Sequence, residues 1–492
     1  MNQTQEVGYV QSSRDFLVYL DGLPSIKIND LVENEQGLRG WISALLKNQV
    51  EVLMVDSGKV TPGQMFKRLP ARLSINVGDY LLGRAVNPLG IAIDGKGPLT
   101  RSKTTNLMEL EQVALGIRSR QFIKEQFTTG VSLIDCLIPL GKGQRELVMG
   151  DAHSGKTGFL IDLIVNQSKL NRTSNKPKKT ICIYASIGKP AASVRNLIDV
   201  LRANKALEYS VVIAASSSEP APMIFLTPKA AFSVAEFFQR NGHDVLLILD
   251  DLGTHAKIYR EMSLLGFKSP GRESYPGDIF YQHAHLMERA GSFKAGFGGA
   301  SITALPVIEL DLNDFTTLIP TSLMSMTDGH LLFKSSLRNQ GLQPAIDIFL
   351  SVSRVGRQTQ DRLTNSISAR IRSTLTQAEE LQTVSSFSAE LPIQTQLILR
   401  QKRLLDEILK QDPLTYIPKE VQVIMLSLVY TSFLKDKDHS FMEKYKNNLI
   451  NAFLTNPTFN NITKSFYTFK SDQQLINALE AETAKLNELC PS

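Results

Sequence analysis

The spacing of glycine, lysine and threonine at residues 150–157 predicts a phosphate-binding loop. The stretch reads G-x-x-x-x-G-K-T and consists of Gly150, Asp151, Ala152, His153, Ser154, Gly155, Lys156 and Thr157. Its glycines allow a tight turn in which successive backbone N–H groups point at phosphate oxygens. In such a loop the lysine reaches the terminal phosphates and the threonine hydroxyl takes a place on Mg²⁺.

The residues on both sides of this loop favour that interpretation over an accidental glycine-rich turn. Residues 146–149 form a short apolar run typical of a strand. Residues 156–167 carry Phe159, Leu160, Leu163 and Ile164 at helical spacing. The start of such a helix places partial positive charge beneath the phosphates. The loop itself does not tell whether the bound nucleotide is hydrolysed.

A carboxylate follows a later apolar strand. Asp250 closes the run at residues 245–249 and is followed by Asp251. An acid at the carboxyl end of such a strand is where a P-loop fold holds Mg²⁺, usually through water. The alternative is a solvated loop acid, and Asp251 fits that description.

Composition limits the classes of protein that remain. The chain has 492 residues, a net charge of +6 and a pI near 9.0. This mild excess permits an anionic partner, but no block of basic and aromatic residues supports nucleic-acid binding. The cysteines predict free thiols, and the polar N-terminus has no signal-peptide core. These cysteines are Cys136, Cys182 and Cys490.

The pattern along the chain predicts three domains. Short strands with turn signals, as at residues 16–20 and 50–55, indicate an all-β barrel over residues 1–75. Apolar runs at 181–184, 211–214, 245–249 and 305–308 indicate an α/β P-loop domain with a mainly parallel sheet over residues 76–361. Helical patterns at 397–409 and 421–434 indicate an α-helical domain over residues 362–492.

An arginine near the end of the predicted central domain has two interpretations. Arg354 lies in segment 351–356, just after the apolar run 346–350. An arginine in a loop at a strand end is usually a surface salt-bridge partner. In a phosphoryl-transfer assembly, it is instead an arginine finger that stabilises transition-state charge.

Several segments together resemble the α-subunit of rotary F-type ATP synthases. These segments are 92–98, 143–147, 218–222, 270–281, 301–309 and 351–356. The resemblance runs from about residue 7 to about residue 440 and weakens in the helical domain. It is more specific than the P-loop, because the catalytic β-subunit and the secretion ATPases differ around residues 275–278.

This resemblance implies a regulatory, non-catalytic subunit. Three such subunits alternate with three β-subunits around a central-stalk γ-subunit, and a δ-type subunit attaches the peripheral stalk. The subunit binds Mg-ATP or ADP without cleaving it, and Arg354 acts on the neighbouring β-subunit's nucleotide. Gln343, Pro344 and Gln411 complete the nucleotide site, and Thr157 and Asp250 serve the metal. We expect membrane association only through the complex, at the cytoplasmic face of a bacterial plasma membrane or the matrix face of an organelle inner membrane.

The chain also departs from the family pattern. Ala152 and His153 stand where the family has Arg-Gln, and Gln343 stands where it has arginine. Lys189 replaces the usual glutamine at the position of the catalytic glutamate of β-subunits; we interpret it as a plain surface lysine or as a partner of phosphate. The predicted barrel begins almost at once, so little room is left for the family's leading stalk-binding segment. We expect that either the stalk attaches differently here or the assembly differs from the usual one.

Three other classes of protein compete with the F-type α-subunit. A self-sufficient hexameric ATPase, such as a secretion motor, needs a carboxylate near Lys189, and residues 186–194 contain none. A Rho-type translocase needs a basic, aromatic groove in the barrel, where the aromatic residues have core-like spacing. A structural subunit without nucleotide conflicts with the intact Lys156, although Ala152 leaves that alternative open.

Overall fold

The computed structural model describes residues 6–100, 106–175, 177–311, 314–385 and 392–490. The polar N-terminal residues 1–5, which carry the expectation of no signal peptide, lie outside these ranges.

Six antiparallel strands close into an N-terminal barrel, as predicted. They are β1 Val7–Arg14, β2 Leu17–Gly22, β3 Asp30–Asn34, β4 Arg39–Leu45, β5 Val50–Met54 and β6 Met65–Arg72. Their order around the barrel is β1-β2-β5-β4-β3-β6. Apolar side chains such as Val18, Val32 and Phe66 are fully buried, because alternate residues of each strand face the interior.

Thirteen further strands follow in the described residues. They are β7 Ser74–Val77, β8 Ala85–Val86, β9 Asn106–Glu109, β10 Gln126–Phe127, β11 Leu140–Gly141, β12 Leu147–Asp151, β13 Ile181–Lys189, β14 Ser210–Ser216, β15 Val245–Asp250, β16 Gly291–Ser292, β17 Ser301–Leu310, β18 Gly329–Phe333 and β19 Val352–Ser353.

Fourteen α-helices are present in the described part of the chain. They are α1 Lys156–Thr173, α2 Ala191–Ala203, α3 Ala221–Arg240, α4 Leu252–Leu265, α5 Ile279–Glu288, α6 Leu318–Met326, α7 Ser335–Asn339, α8 Arg362–Ser385, α9 Ile393–Leu409, α10 Lys419–Ser427, α11 His439–Thr455, α12 Pro457–Lys464, α13 Asp472–Ala481 and α14 Thr483–Leu489.

Two compact units share these elements. The first contains residues 1–122, 142–149 and 167–328, and the second contains 123–141, 150–166 and 329–492. The first therefore holds the barrel and the strands from β13 to β17, and the second holds the glycine-rich loop, Arg354 and the helices from α8 onward. The domain boundaries predicted at residues 75/76 and 361/362 stay predictions.

The sheet of the first unit is mainly parallel. β13 pairs in parallel with β14 and β15, β15 pairs with β17, and β14 pairs with β8, while β16 joins β17 antiparallel. Every residue of β15 is buried, and α3 is buried along nearly its whole length. Such continuous apolar strands form because helices cover both faces of a parallel sheet. The sheet therefore brings the carboxyl ends of β13 and β15 side by side.

The C-terminal region of the second unit is helical, as predicted. Its core includes all residues from Val421 to Ser427 of α10, together with Phe433 and Phe453. The single helix expected over residues 421–434 is wrong in extent, because α10 ends at Ser427 and two 3₁₀ turns follow. Thr431 adopts an extended backbone between these turns, with φ −102° and ψ 163°, which interrupts the helix.

The prediction of free cysteines is confirmed. Cys136, Cys182 and Cys490 are buried and unpaired. Burial raises the pKa of the Cys136 and Cys182 thiols well above the usual range, so both are poor nucleophiles. Among the described residues, no helix combines the length and apolar character needed to cross a membrane.

Candidate functional site

The glycine-rich loop connects β12 to α1 in the second unit. Gly150 has a φ of 154° and Gly155 a φ of 98°, in a region that favours glycine. A Cβ on Gly150 would collide with the carbonyl oxygen of Phe333, so this position requires glycine. Helix α1 begins at Lys156, and the N–H groups of its first turn have no partner within the helix. Loop and helix start together form a site suited to an anion.

Lys156 lies folded against this loop. Its side chain is buried, with the residue 8% exposed. The ammonium donates to the carbonyl oxygens of Gly150, at 2.7 Å, and of Asp151, and to Ser154 Oγ at 3.4 Å. Ser154 Oγ in turn donates to the Asp151 carbonyl at 2.8 Å. Charged phosphate oxygens are stronger acceptors than these neutral oxygens, so Lys156 is placed to exchange them for a bound phosphate.

Three other predicted loop residues have different surroundings. The Asp151 carboxylate accepts a hydrogen bond from Ser335 Oγ at 2.8 Å, and its other oxygen is buried without a partner among the described residues. The Asp151 side chain therefore links the loop to Ser335 of α7. His153 is exposed and left-handed, with φ 59°, and Thr157 is exposed at the start of α1.

A cavity beside the loop brings several predicted residues together. Its walls include Ser154, Gly155, Gln343, Pro344 and Gln411. It contains about 610 Å³ of unfilled space, part of which is open to solvent. The structure thus places the phosphate-binding loop and the predicted nucleotide-site residues Gln343, Pro344 and Gln411 around one cavity in the second unit.

Gln411 shapes a wall of this cavity through its amide. Its Nε2 donates to the carbonyl oxygens of Gly130, at 2.7 Å, and Thr415, at 2.8 Å. Its Oε1 accepts a hydrogen bond from the backbone N–H of Ser132 at 3.1 Å. The backbone N–H of Gln411 donates to the carbonyl of Gln343 at 2.8 Å, which joins two walls of the cavity.

Lys189 lies between two carboxylates at the end of the parallel strands of the first unit. Its ammonium is 3.1 Å from Asp250 Oδ1 and 2.9 Å from Asp251 Oδ2. Burial alone would lower the pKa of Lys189, but Asp250 and Asp251 outweigh it and raise the pKa above the usual value. The interpretation of Lys189 as a plain surface lysine is therefore wrong, because its charge is held by an internal ion-pair network.

Asp251 also differs from the solvated loop acid that the sequence suggested. It is 6% exposed and caps the N-terminus of α4. Its carboxylate accepts hydrogen bonds from the backbone N–H of Thr254 and, at 3.1 Å, from the Thr254 hydroxyl. Asp251 therefore both caps the N-terminus of α4 and pairs with the Lys189 ammonium.

The surroundings of Asp250 test whether it fits the metal expected from the sequence. Its Oδ1 faces the Lys189 ammonium, and its Oδ2 accepts a hydrogen bond from the Tyr184 hydroxyl at 2.5 Å. A carboxylate engaged in this way does not fit a Mg²⁺ site unless Lys189 moves. No cluster of three or more metal-ligating side chains occurs among the described residues. The metal roles of Asp250 and Thr157 stay predictions.

Arg354 projects from a loop whose base is fixed in the second unit. Ser353 Oγ donates to the Pro139 carbonyl at 2.6 Å and accepts the Gly356 N–H at 3.2 Å. A side chain on Gly356 would collide with the Pro139 carbonyl, so the loop passes close to that backbone. Arg354 itself is exposed, and no hydrogen bond or ion pair of its guanidinium is found within the described part of the chain. The apolar run 346–350 before it forms a bridge and a turn, and only β19 is a strand there.

Sequence reasoning missed two residues that the structure brings to these features. Tyr184 lies inside an apolar strand, and its hydroxyl was the one signal of a polar partner nearby. Arg338 donates to the His153 carbonyl and lines the cavity, but nothing in the sequence pattern connects it with the loop.

The fold and the site define the class to which this chain belongs. A phosphate-binding loop between a strand and a helix, beside a cavity, is typical of P-loop nucleotide-binding proteins. The model of the ATP synthase alpha/beta family, nucleotide-binding domain, matches residues 130–353. The model of the ATP synthase alpha/beta chain, C terminal domain, matches residues 360–485.

The chain belongs to the ATP synthase alpha/beta family, because the two matches together cover well over half of its length. It is therefore a nucleotide-binding subunit of an ATPase complex, and ATP or ADP is its ligand. Family membership suggests a hexameric assembly with other alpha- and beta-type subunits.

Proposed function

We propose that this chain is the regulatory, non-catalytic alpha-type subunit of an F-type ATP synthase. In this proposal it binds nucleotide at residues 150–157 without cleaving it. It also supplies Arg354 to the catalytic site of a neighbouring beta-type subunit. The catalytic chemistry then takes place on the neighbour's nucleotide, and this chain contributes charge to it.

The observation that carries the proposal is the ion-pair network of Lys189. By the resemblance, Lys189 stands at the position where the catalytic subunit has its glutamate. A general base must accept a proton from the attacking water, and an ammonium has no free electron pair for it. Asp250 and Asp251 are the acids beside Lys189, and both are paired with it. Hydrolysis by the chain's own site thus has no available carboxylate at this strand end.

The loop of Arg354 supports the second half of the proposal. The segment is fixed at Ser353 and Gly356, while the guanidinium between them is exposed. An arginine finger needs a side chain of this kind, held at its base and, within the described ranges of the chain, engaged by no internal hydrogen bond or ion pair. Placed against a transferring phosphoryl group, it stabilises the charge that develops in the transition state.

The proposal includes an assembly. Three copies alternate with three beta-type subunits around a gamma-type central stalk, with a delta-type subunit at the peripheral stalk and Mg²⁺ accompanying the nucleotide. ATP synthesis is coupled to ion translocation, and the chain meets the membrane only through its partners. For location we infer the cytoplasmic face of a bacterial plasma membrane, with the matrix face of an organelle inner membrane as the alternative.

Turnover by the purified full-length chain tests the non-catalytic assignment. We expect ATP to bind and ATPase activity to stay at background, because both acids beside Lys189 are paired with its ammonium. Co-purification from the source cells should yield a beta-like partner and a central stalk, and that complex should turn over ATP. Robust turnover by the chain alone would contradict the proposal and favour a self-sufficient hexameric ATPase of the secretion-motor kind. A Lys156→Ala variant is the control, since its residual activity defines the background.

A further inference from the structure

Two side chains of helix α7, Ser335 and Arg338, contact the phosphate-binding loop. Ser335 Oγ donates to the Asp151 carboxylate at 2.8 Å, and Arg338 Nη1 donates to the His153 carbonyl oxygen. Residues three apart on a helix are neighbours on its surface, so both contacts come from one side of α7. The helix therefore holds the guanidinium of Arg338 against the His153 carbonyl of the loop.

The position of Arg338 is on the cavity side of the loop. Its Cδ lies 3.9 Å from the point that a Cβ on Gly155 would occupy. Among the described residues that line the cavity, Arg338 is the only cation, and Asp162 and Asp412 are the acids. Part of the cavity lining follows one face of α1, from Gly155 just before the helix to Asp162, over a length of roughly 10 Å. The guanidinium of Arg338 thus lies at the end of the cavity next to the phosphate-binding loop, which also carries Lys156.

The His153 carbonyl that accepts from Arg338 is an uncharged acceptor and therefore a weak partner for a guanidinium. Arginine has five N–H donors in a fork that matches phosphate, whereas the His153 carbonyl is a single neutral acceptor. Within the described residues, this carbonyl is the one acceptor found for the exposed guanidinium. A phosphate oxygen bound at the loop would be a charged acceptor and therefore a stronger partner for this guanidinium.

The same loop has no cationic side chain of its own besides Lys156. Position 152 is alanine and position 153 is histidine, and the cavity wall at position 343 is an uncharged glutamine. A nucleoside di- or triphosphate carries several negative charges, and Lys156 with the α1 N-terminus neutralises part of them. Arg338 is the one further cation that the structure places at this end of the cavity among the described lining residues.

We propose that Arg338 is a phosphate-binding residue of the nucleotide site, which exchanges the His153 carbonyl for the phosphate chain of a nucleoside di- or triphosphate. The proposal rests on nucleotide binding at residues 150–157. It holds whether the subunit is regulatory or catalytic, so it can fail independently of the non-catalytic assignment.

The test measures the affinity of the full-length chain for ATP, ADP and adenosine by titration calorimetry. In Arg338→Gln we expect ATP and ADP to bind about 10- to 100-fold more weakly, the range of a lost hydrogen bond to a charged group. Adenosine affinity should change less than threefold, because adenosine has no phosphate. Arg338→Lys should recover part of the lost affinity, and the salt dependence of ATP binding should become shallower in Arg338→Gln.

Two control variants distinguish the charge of Arg338 from the contact that α7 makes with the loop. Ser335→Ala removes the other α7 contact without changing charge, and we expect less than a threefold loss of ATP affinity. Arg357→Gln removes an exposed arginine that contacts Asn365 at 3.1 Å and does not line the cavity, and it should bind ATP as the parent does. Unchanged or tighter ATP binding in Arg338→Gln overturns the proposal, as does an equal loss for adenosine or in Ser335→Ala. If the parent chain binds ATP no better than Lys156→Ala, nucleotide binding itself fails and the Arg338 proposal with it.

Discussion

The ammonium of Lys189 lies 3.1 Å from Oδ1 of Asp250, across two neighbouring parallel strands. Asp251 completes the network at 2.9 Å, and the side chain of Lys189 is only 28% exposed. Two buried acids would repel each other without this cation, because like charges at short range disfavour the ionised pair. The carboxyl ends of β13 and β15 are therefore joined by a buried ion-pair network.

Removal of the Lys189 charge should destabilise the first unit. Lys189→Gln leaves two buried carboxylates without their counter-ion, and we expect the free energy of unfolding to fall by roughly 2 kcal/mol, less than for a fully buried pair. Urea unfolding followed by circular dichroism measures this loss. Lys257→Gln, at an exposed position of α4, is the control and should change the free energy by less than about 0.5 kcal/mol. Equal midpoints for the two variants would show that the network contributes nothing to stability.

Loss of Arg354 should affect catalysis and leave folding intact. Since Arg354 is exposed and has no internal partner among the described residues, Arg354→Ala should unfold at the parent's urea midpoint. In the reassembled complex, ATP turnover should fall by about 10³-fold or more if the guanidinium acts on the neighbour's nucleotide. Steady-state ATPase assays of the complex measure the change.

The matched control for that experiment is Arg357→Ala, three residues further along the same segment. Arg357 is also exposed but contacts Asn365 in its own subunit, so its loss should alter turnover by less than about threefold. A turnover rate in Arg354→Ala equal to that of the control would remove Arg354 from the catalytic site.

Local patterns allowed much of this architecture to be predicted. Short apolar runs with turn signals identify the barrel, and continuous apolar runs identify the parallel strands, because burial on both faces of a sheet requires apolar side chains throughout. The glycine-rich loop is equally local: its glycines, lysine and flanking elements lie within about 30 residues of chain. Those features follow from short-range sequence order alone.

Contacts between distant residues could not be predicted in the same way. The contact of Lys189 with Asp251, 62 residues further along the chain, depends on the register of β13 against β15. The contact of Arg338 with the loop depends on where α7 packs, and the break in the helical pattern of residues 421–434 includes the extended backbone at Thr431. Tertiary packing decides each of these, so the sequence pattern carried no signal for them.

Two glycines of the loop and helix should respond in opposite ways to alanine. Gly150→Ala puts a Cβ into the Phe333 carbonyl at a φ of 154°, so we expect unfolding to become easier by about 2 kcal/mol or more. Gly158→Ala has open space around its Cβ inside α1, so it should stabilise the helix by up to about 1 kcal/mol. Thermal and urea unfolding without nucleotide compares them, and destabilisation of similar size in both variants would contradict the steric argument.

A pair of buried histidines makes the stability of the first unit depend on pH. His255 Nε2 faces the Phe225 carbonyl at 3.2 Å, and His255 Nδ1 lies 3.1 Å from His283 Nε2. If Nε2 of each ring carries the proton, His255 donates to the carbonyl and accepts from His283. His283 Nδ1 is buried without a partner among the described residues, so a proton added there would have no acceptor. A proton added to His255 Nδ1 would instead oppose the N–H of His283.

Burial therefore lowers the pKa of both histidines: to about 4 for His283, and well below the usual value for His255, where His283 and Lys229 add to the effect. The unfolded chain binds protons below about pH 6.5 while the folded chain does not, so stability is complete above pH 6.5 and falls as the pH drops toward 4. His283 alone should account for roughly 3 kcal/mol of this loss. Urea unfolding at a series of pH values measures the slope, which should flatten in His283→Gln and stay unchanged in His439→Gln, an exposed histidine. A slope that His283→Gln leaves as steep as in the parent would assign the acid sensitivity to other groups.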